Sequence, residues 1–263
     1  MNDLDLDRFL AVADSAARAG GEIVAAGFDR AYTLSEKAPG DWVTDIDVAS
    51  EEAVRASLAR AEPGIAFFGE ETGGQLGPLG WVVDPLDGTT NFLRRFPVVG
   101  VSVALVEAGR PTVGVVHAPL LGETYTARTD GGAFRDGRAL RVGDRDVARA
   151  VAATGFPFRA KAERLGSYLP VFETALRALE DLRRAGAASL DLAWTASGTF
   201  DGYFEQALSP WDVAAGGLLV REAGGRVTDW DGDDDAWLGS GDIVAAAPAV
   251  HAYLLGLTRV SSS

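Results

Sequence analysis

Apolar residues at Leu6, Phe9, Leu10, Ala13, Ala17, Ile23 and Val24 recur at helical spacing and predict an amphipathic helix over 4–27. Turn residues over 32–47 predict a loop or hairpin. Asp45 or Asp47 is expected to cap a second helix that reaches Ala61, in which Val54 and Leu58 share a face. The run 65–68 predicts a short strand entering Gly69-Glu70-Glu71, the glycine-rich 72–80 a loop, and Trp81-Val82-Val83 a buried strand that ends at Asp84. Segments 98–106, 112–117 and 124–127 predict consecutive antiparallel strands, and the turn over 131–134 continues that sheet. A second set follows: a strand over 151–154, helices near 161–180 and 189–198, and a strand over 202–205. Pro210 opens a helix from Trp211 to Ala223, which Gly224-Gly225 ends. Strands over 227–230 and 243–247 and a helix over 248–257 close the chain. Helices and mixed sheets without a regular β-α-β alternation predict an α+β layered sandwich.

The length of 263 residues fits one domain over 1–263, with subregions of approximately 1–145 and 146–263. The formal net charge of −14 weighs against nucleic-acid and anionic-membrane partners. It would also repel an anionic substrate unless bound cations reverse the field locally. The acidic start, Met1-Asn2-Asp3-Leu4-Asp5-Leu6-Asp7, does not read as a secretory signal, and no apolar run is long enough to span a bilayer. Cysteine is absent, which excludes disulfides and thiolate chemistry and is compatible with a cytoplasmic location. His117 and His251 have no partner at metal-ligand spacing, so both are expected to be structural. The chemistry then falls to carboxylates and hydroxyls.

The carboxylates cluster at Trp81-Val82-Val83-Asp84-Pro85-Leu86-Asp87-Gly88-Thr89-Thr90-Asn91-Phe92. A strand delivers Asp84, Pro85 stiffens the turn, and Asp87 returns to face the same point. The Leu86 carbonyl between them is available as a ligand, Gly88 permits close backbone approach, and Thr89-Thr90 open a helical turn whose N–H groups suit a phosphate. Hard oxygen donors favour Mg²⁺ over Zn²⁺. Two further acids lie at element ends: Glu70 in Gly69-Glu70-Glu71, and Asp212 in Trp211-Asp212-Val213-Ala214-Ala215-Gly216. The small residues after Asp212 predict close packing of that helix against another element. The acidic run 231–235 reads as a solvated loop.

These three motifs, in this order and spacing, resemble the inositol monophosphatase family over nearly the whole chain. The resemblance implies a layered αβαβα sandwich of the inositol monophosphatase and fructose-1,6-bisphosphatase type. It also implies a usually dimeric, lithium-sensitive phosphatase that uses two to three Mg²⁺ ions. By the same resemblance, Glu70, Asp84 and the Leu86 carbonyl would hold one metal, and Asp84, Asp87 and Asp212 a second. Glu70 would help hold a third. Gly88 and Thr89 would contact phosphate, and Asp47 would pair with Thr89 to orient the attacking water, with Asp45 the weaker candidate. Gly186, Ala188 and Glu205 would contact the alcohol, and Thr90-Asn91-Phe92 is similar to inositol-type members. The implied substrate is myo-inositol monophosphate. Histidinol phosphate, fructose 1,6-bisphosphate and nucleotide 3′-phosphates are alternatives, as is a regulatory binding role in the transcription machinery. Lys37 departs from the pattern, one position closer to Asp41 than the family's loop lysine.

Overall fold

The structure is a computed structural model and describes residues 3–38 and 41–260. Helix α1 (Asp3–Gly27) leads into a hairpin of β1 (Leu34–Ala38) and β2 (Asp41–Thr44), then α2 (Asp45–Ala61). There follow β3 (Ala66–Gly69), β4 (Gly73–Gly74), β5 (Leu79–Asp87) and the short α3 (Thr89–Leu93). A meander comes next: β6 (Gly100–Glu107), β7 (Arg110–Ala118), β8 (Glu123–Arg128), β9 (Gly132–Arg135) and β10 (Arg138–Ala139). The remaining elements are β11 (Val151–Thr154), α4 (Lys161–Ala178), β12 (Asp181–Arg183), α5 (Ala188–Ala196), β13 (Gly202–Glu205), α6 (Pro210–Glu222), β14 (Arg226–Thr228), α7 (Trp237–Ser240), β15 (Ile243–Ala246) and α8 (Pro248–Val260).

The first sheet runs β10-β9-β8-β7-β6-β5-β3-β4, antiparallel except where β3 lies parallel to β5. The second runs β12-β11-β13-β15-β14, with β11 parallel to both its neighbours and β15 antiparallel to both of its own. Helices α1 and α2 cover one face of the first sheet, α5 and α6 lie between the sheets, and α4 and α8 cover the second. That is the αβαβα order expected.

The strand period of two explains why the central strands read as unbroken apolar runs. Along β6, Val101, Val103 and Leu105 join the core under α1 and α2, while Ala104 and Val106 join the core between the sheets. Helix α6 touches its neighbours through small residues. A Cβ at Gly114 of β7 would lie 2.9 Å from the Ala215 carbonyl oxygen. One at Gly216 would lie 2.5 Å from Leu192 Cβ of α5, and one at Gly217 2.6 Å from the Trp237 ring. The Ala214-Ala215-Gly216-Gly217 run is therefore the close-packing seam that its composition predicts.

The structure corrects several boundaries. Thr44, not Asp45 or Asp47, caps α2: its hydroxyl accepts from the Ile46 N–H at 3.1 Å. Segment 72–80 contains β4 and the start of β5 rather than loop alone, and β5 continues through Asp87 instead of ending at Asp84. The strand expected over 227–230 is β14 and stops at Thr228, because the Trp230 indole turns to donate to the Glu205 and Ile243 carbonyls. Neither β12 nor α7 carries a local pattern strong enough to foretell it.

Both histidines are structural. His117 Nδ1 lies 2.9 Å from the Thr124 hydroxyl, and its ring fills the space over Gly21. His251 is buried, with Nε2 3.1 Å from Thr228 Oγ1 and Nδ1 without a partner. Thr228 spends its own proton on the Asp229 carbonyl at 2.8 Å, so Nε2 is the donor and the ring is neutral. Burial lowers its pKa from 6.5 to about 4. The stabilising effect of the neutral ring is full above pH 6.5 and is lost as pH falls toward about 4. It amounts to on the order of 3 kcal/mol. Denaturant unfolding of wild type and His251→Gln at pH 7 and pH 5 checks this: the stability gap between them should narrow at pH 5.

Candidate metal centre

Along a regular strand, residues three apart face opposite sides. Asp84 and Asp87 do not, because β5 carries a bulge. Asp84 pairs with Ser102 and Asp87 with Gly100, so three steps on β5 match two on β6. The extra residue restores the parity, and both carboxylates face the same way. Pro85 sits in this interval, where a missing N–H costs no ladder bond. The Leu86 N–H donates to Asp84 Oδ1 at 3.0 Å. Gly88 follows with φ +93°, and a Cβ there would press on the Val98 carbonyl at 2.9 Å. Thr89 then starts the five-residue α3.

Helix α2 turns a stripe of its own toward this bulge. Asp47, Ser50, Glu51, Val54 and Leu58 are buried at helical spacing, polar in the first turns and apolar beyond. Asp47 Oδ2 accepts from the Thr44 N–H at 2.9 Å and its hydroxyl at 2.5 Å, while Oδ1 accepts from the Thr89 hydroxyl at 3.0 Å. Ser50 donates to the Pro85 carbonyl at 2.8 Å. Glu51 accepts from the Glu71 and Thr72 N–H groups at 2.9 and 2.8 Å, and so holds the turn that bears Glu70. Asp45 serves the hairpin, where its Oδ1 accepts from the Thr33 N–H at 2.7 Å.

Asp212 arrives on the first turn of α6, its Oδ2 accepting from the Ser209 N–H at 2.6 Å. Ser102 of β6 donates to the Trp211 carbonyl at 3.1 Å and ties that turn to the strand opposite Asp84. One carboxylate oxygen from each of Asp84, Asp87 and Asp212 lies within 4.8 Å of the others, and all three residues are buried. Burial first, then the charges of Glu70, Asp87 and Asp212, drive the Asp84 pKa well above its ordinary value. Burial likewise raises Asp47. Three converging buried carboxylates, with oxygen donors only, fit a hard divalent cation.

On the α5 side, Ser189 donates to Asp87 Oδ2 through its N–H at 2.7 Å and its hydroxyl at 2.6 Å. The Asn91 amide spans from the Val98 carbonyl to those of Ala185 and Gly186, at 2.8, 2.9 and 3.3 Å. This anchors the Gly186 turn, at φ +88°, beside Ala188 at the start of α5. Glu205 accepts from the Tyr203 hydroxyl at 2.5 Å, and burial raises its pKa to about 8. It feels the charges of Asp212 and Asp87, so it belongs to the same field.

The structure thus brings together Asp84, Asp87 and Asp212, with the Glu70 charge felt at Asp84, Leu86 inside the bulge, and Asp47 bonded to Thr89. Ser50, Glu51, Ser189 and Asp191 were not foreseen. Asp191 is buried and its Oδ1 has no partner. The spacing of Glu51 with Val54 and Leu58 marks its face, but nothing local marks Ser189. The acidic run 231–235 is a self-capped loop in which Asp229 accepts from the Asp231 and Asp233 N–H groups. The Lys37 and Asp41 side chains lie outside the described residues.

The fold and site define a layered α+β protein with a buried carboxylate centre suited to metal. The sequence pattern of the inositol monophosphatase family matches residues 5–262, and the chain belongs to that family. It is 41% identical over 256 residues to the "Nus factor SuhB" of Pasteurella multocida, covering 95% of each chain. It is 42% identical over 226 residues to the "Inositol-1-monophosphatase" of Mesorhizobium japonicum, covering 84% of each. Among solved structures, the extragenic suppressor protein SuhB of Bartonella henselae superposes with TM-score 0.89 at 36% identity, covering 95% of this chain and 97% of that one. The inositol monophosphatase of Anabaena superposes with TM-score 0.86 at 32% identity, covering 97% of each.

A cation that relieves the repulsion should stabilise the fold by about 2.7 kcal/mol at a hundredfold excess over its Kd. Thermal unfolding with EDTA and with Mg²⁺ reads this directly. Asp84→Asn should melt above wild type in EDTA, and its Mg²⁺ shift should be smaller.

Proposed function

We propose that the chain is a Mg²⁺-dependent phosphatase that hydrolyses a small-molecule phosphate monoester, with myo-inositol monophosphate as its substrate. The observation that carries the reading is the convergence of Asp84, Asp87 and Asp212 at the β5 bulge, in a member of this family. Glu70, Asp84 and the Leu86 carbonyl would hold one ion and Asp84, Asp87 and Asp212 a second, with Glu70 helping a third. Magnesium bound there would supply Lewis acidity toward phosphoryl oxygen and would acidify water.

The chain's own residues do the rest. Thr89 gives its proton to Asp47, so the Thr89 oxygen keeps a lone pair with which to accept from the attacking water. Asp47 is fixed by the α2 cap, and its raised pKa suits it to taking up a proton. Gly88 and Thr89 contact the phosphate, and the φ of +93° that turns the backbone there is one that glycine adopts without strain. Gly186, Ala188 and Glu205 contact the alcohol, with Glu205 held by Tyr203. The single domain of two subregions, the homodimer and the cytoplasmic location belong to the same proposal.

Phosphate release should be fastest from myo-inositol monophosphate in a panel with histidinol phosphate, fructose 1,6-bisphosphate and a nucleotide 3′-phosphate. It should require Mg²⁺ and fall with added Li⁺; silence across the panel would sink the assignment. Asp212→Asn should abolish turnover with the fold intact by circular dichroism. Thr89→Ala should lower kcat by roughly 10²–10⁴-fold.

A second reading is favoured by the relatives named Nus factor: a binding role in the transcription machinery. The −14 charge directs that reading to a protein partner rather than to nucleic acid. Partner capture that survives in Asp84→Asn, where phosphate release is lost, would separate the two roles.

A further inference from the structure

We propose that Ser189 is a positioning residue of the metal centre, whose hydroxyl fixes the rotation of the Asp87 carboxylate and thereby sets the affinity for a divalent cation. The inference rests on the metal-centre reading above and adds to it a residue that reading does not use. Ser189 is fully buried, on the first turn of α5. Its N–H at 2.7 Å already gives Asp87 Oδ2 the bond that a helix start offers an anion. The hydroxyl at 2.6 Å is a second donor on the same oxygen, and any buried side chain without one would leave the backbone bond intact.

With both donors on one oxygen, rotation of the carboxylate gives up two hydrogen bonds rather than one. The space for the hydroxyl is made by a third element. Gly100 of β6 pairs with Asp87 across the sheet, and a Cβ on Gly100 would lie 2.9 Å from Ser189 Oγ. The hydroxyl occupies the volume that a side chain there would take. Without it, Oδ2 loses one of the two donors that Ser189 supplies, and the ordering of the carboxylate adds to the cost of binding metal.

The test uses Mn²⁺ binding read by electron paramagnetic resonance, Mg²⁺ displacement of that Mn²⁺, and the Mg²⁺ dependence of phosphate release. Loss of a group that orients a metal ligand weakens affinity by about tenfold or more, and Ser189→Ala should do so on all three readouts with its fold intact by circular dichroism. At saturating Mg²⁺ its kcat should recover more than its Mg²⁺ affinity does. Gly100→Ala should push the hydroxyl aside and weaken binding in the same direction. The double variant Gly100→Ala/Ser189→Ala should be no weaker than Ser189→Ala, because the new methyl enters the volume the hydroxyl left. Wild-type Mn²⁺ and Mg²⁺ affinity in Ser189→Ala would overturn the proposal, as would losses in the double variant that multiply. Absence of Mn²⁺ binding in the wild-type protein would instead overturn the metal-centre reading itself and this inference with it.

Discussion

Three carboxylates held together out of water repel one another, and the surrounding structure is arranged around that repulsion. Each acid is met by backbone or hydroxyl donors from a different element. Leu86 serves Asp84, Ser189 serves Asp87, Ser209 serves Asp212, and Thr44 with Thr89 serves Asp47. Four of these donors stand at helix starts, and three of those helices, α2, α5 and α6, are longer than the five-residue α3. The positive ends of three helix dipoles therefore bear on one acidic cluster, where they oppose the field that the chain's net charge imposes elsewhere. Such donors hold the carboxylates in place, and a divalent cation would neutralise what they leave.

The same arrangement dissolves a choice that seems forced at the level of sequence, between an acid that caps a helix and an acid that does chemistry. Asp47 and Asp212 complete the capping boxes of Thr44 and Ser209 while standing where the second is possible. Capping fixes each carboxylate to its own backbone, which removes side-chain freedom that a binding event would otherwise have to freeze. Glu51 extends the principle by one layer. It holds the turn on which Glu70 rides.

Much of this was legible in the sequence, and the parts that were not share a cause. The helices α1 and α2 follow from periodicity, α6 from the Pro210 and Gly224-Gly225 that bound it, and the strands β6 to β8 from apolar runs set off by turn residues. The acids of the β5 motif, Glu70 and Asp212 are legible because they sit where apolar runs end. The cap of α2 lies one residue before Asp45 and three before Asp47, because Thr44 and the acids after it are all competent caps, and only the three-dimensional path decides between them. Strand β12 and helix α7 are held by neighbours distant in sequence rather than by their own pattern. Ser189 is the clearest case: a serine behind two alanines carries no signal until β5 brings Asp87 against it.

The β5 bulge also bears on how such a chain can change over time. The facing of Asp84 and Asp87 depends on whether the count of residues between them, relative to β6, is odd or even. Loss or gain of one residue there would turn Asp87 to the opposite face of the sheet, however well the replacement residues suited a strand. A change of two would keep the facing and alter only the reach. Lineages that share this centre should therefore tolerate side-chain exchange at positions 85 and 86 far better than any change in their number.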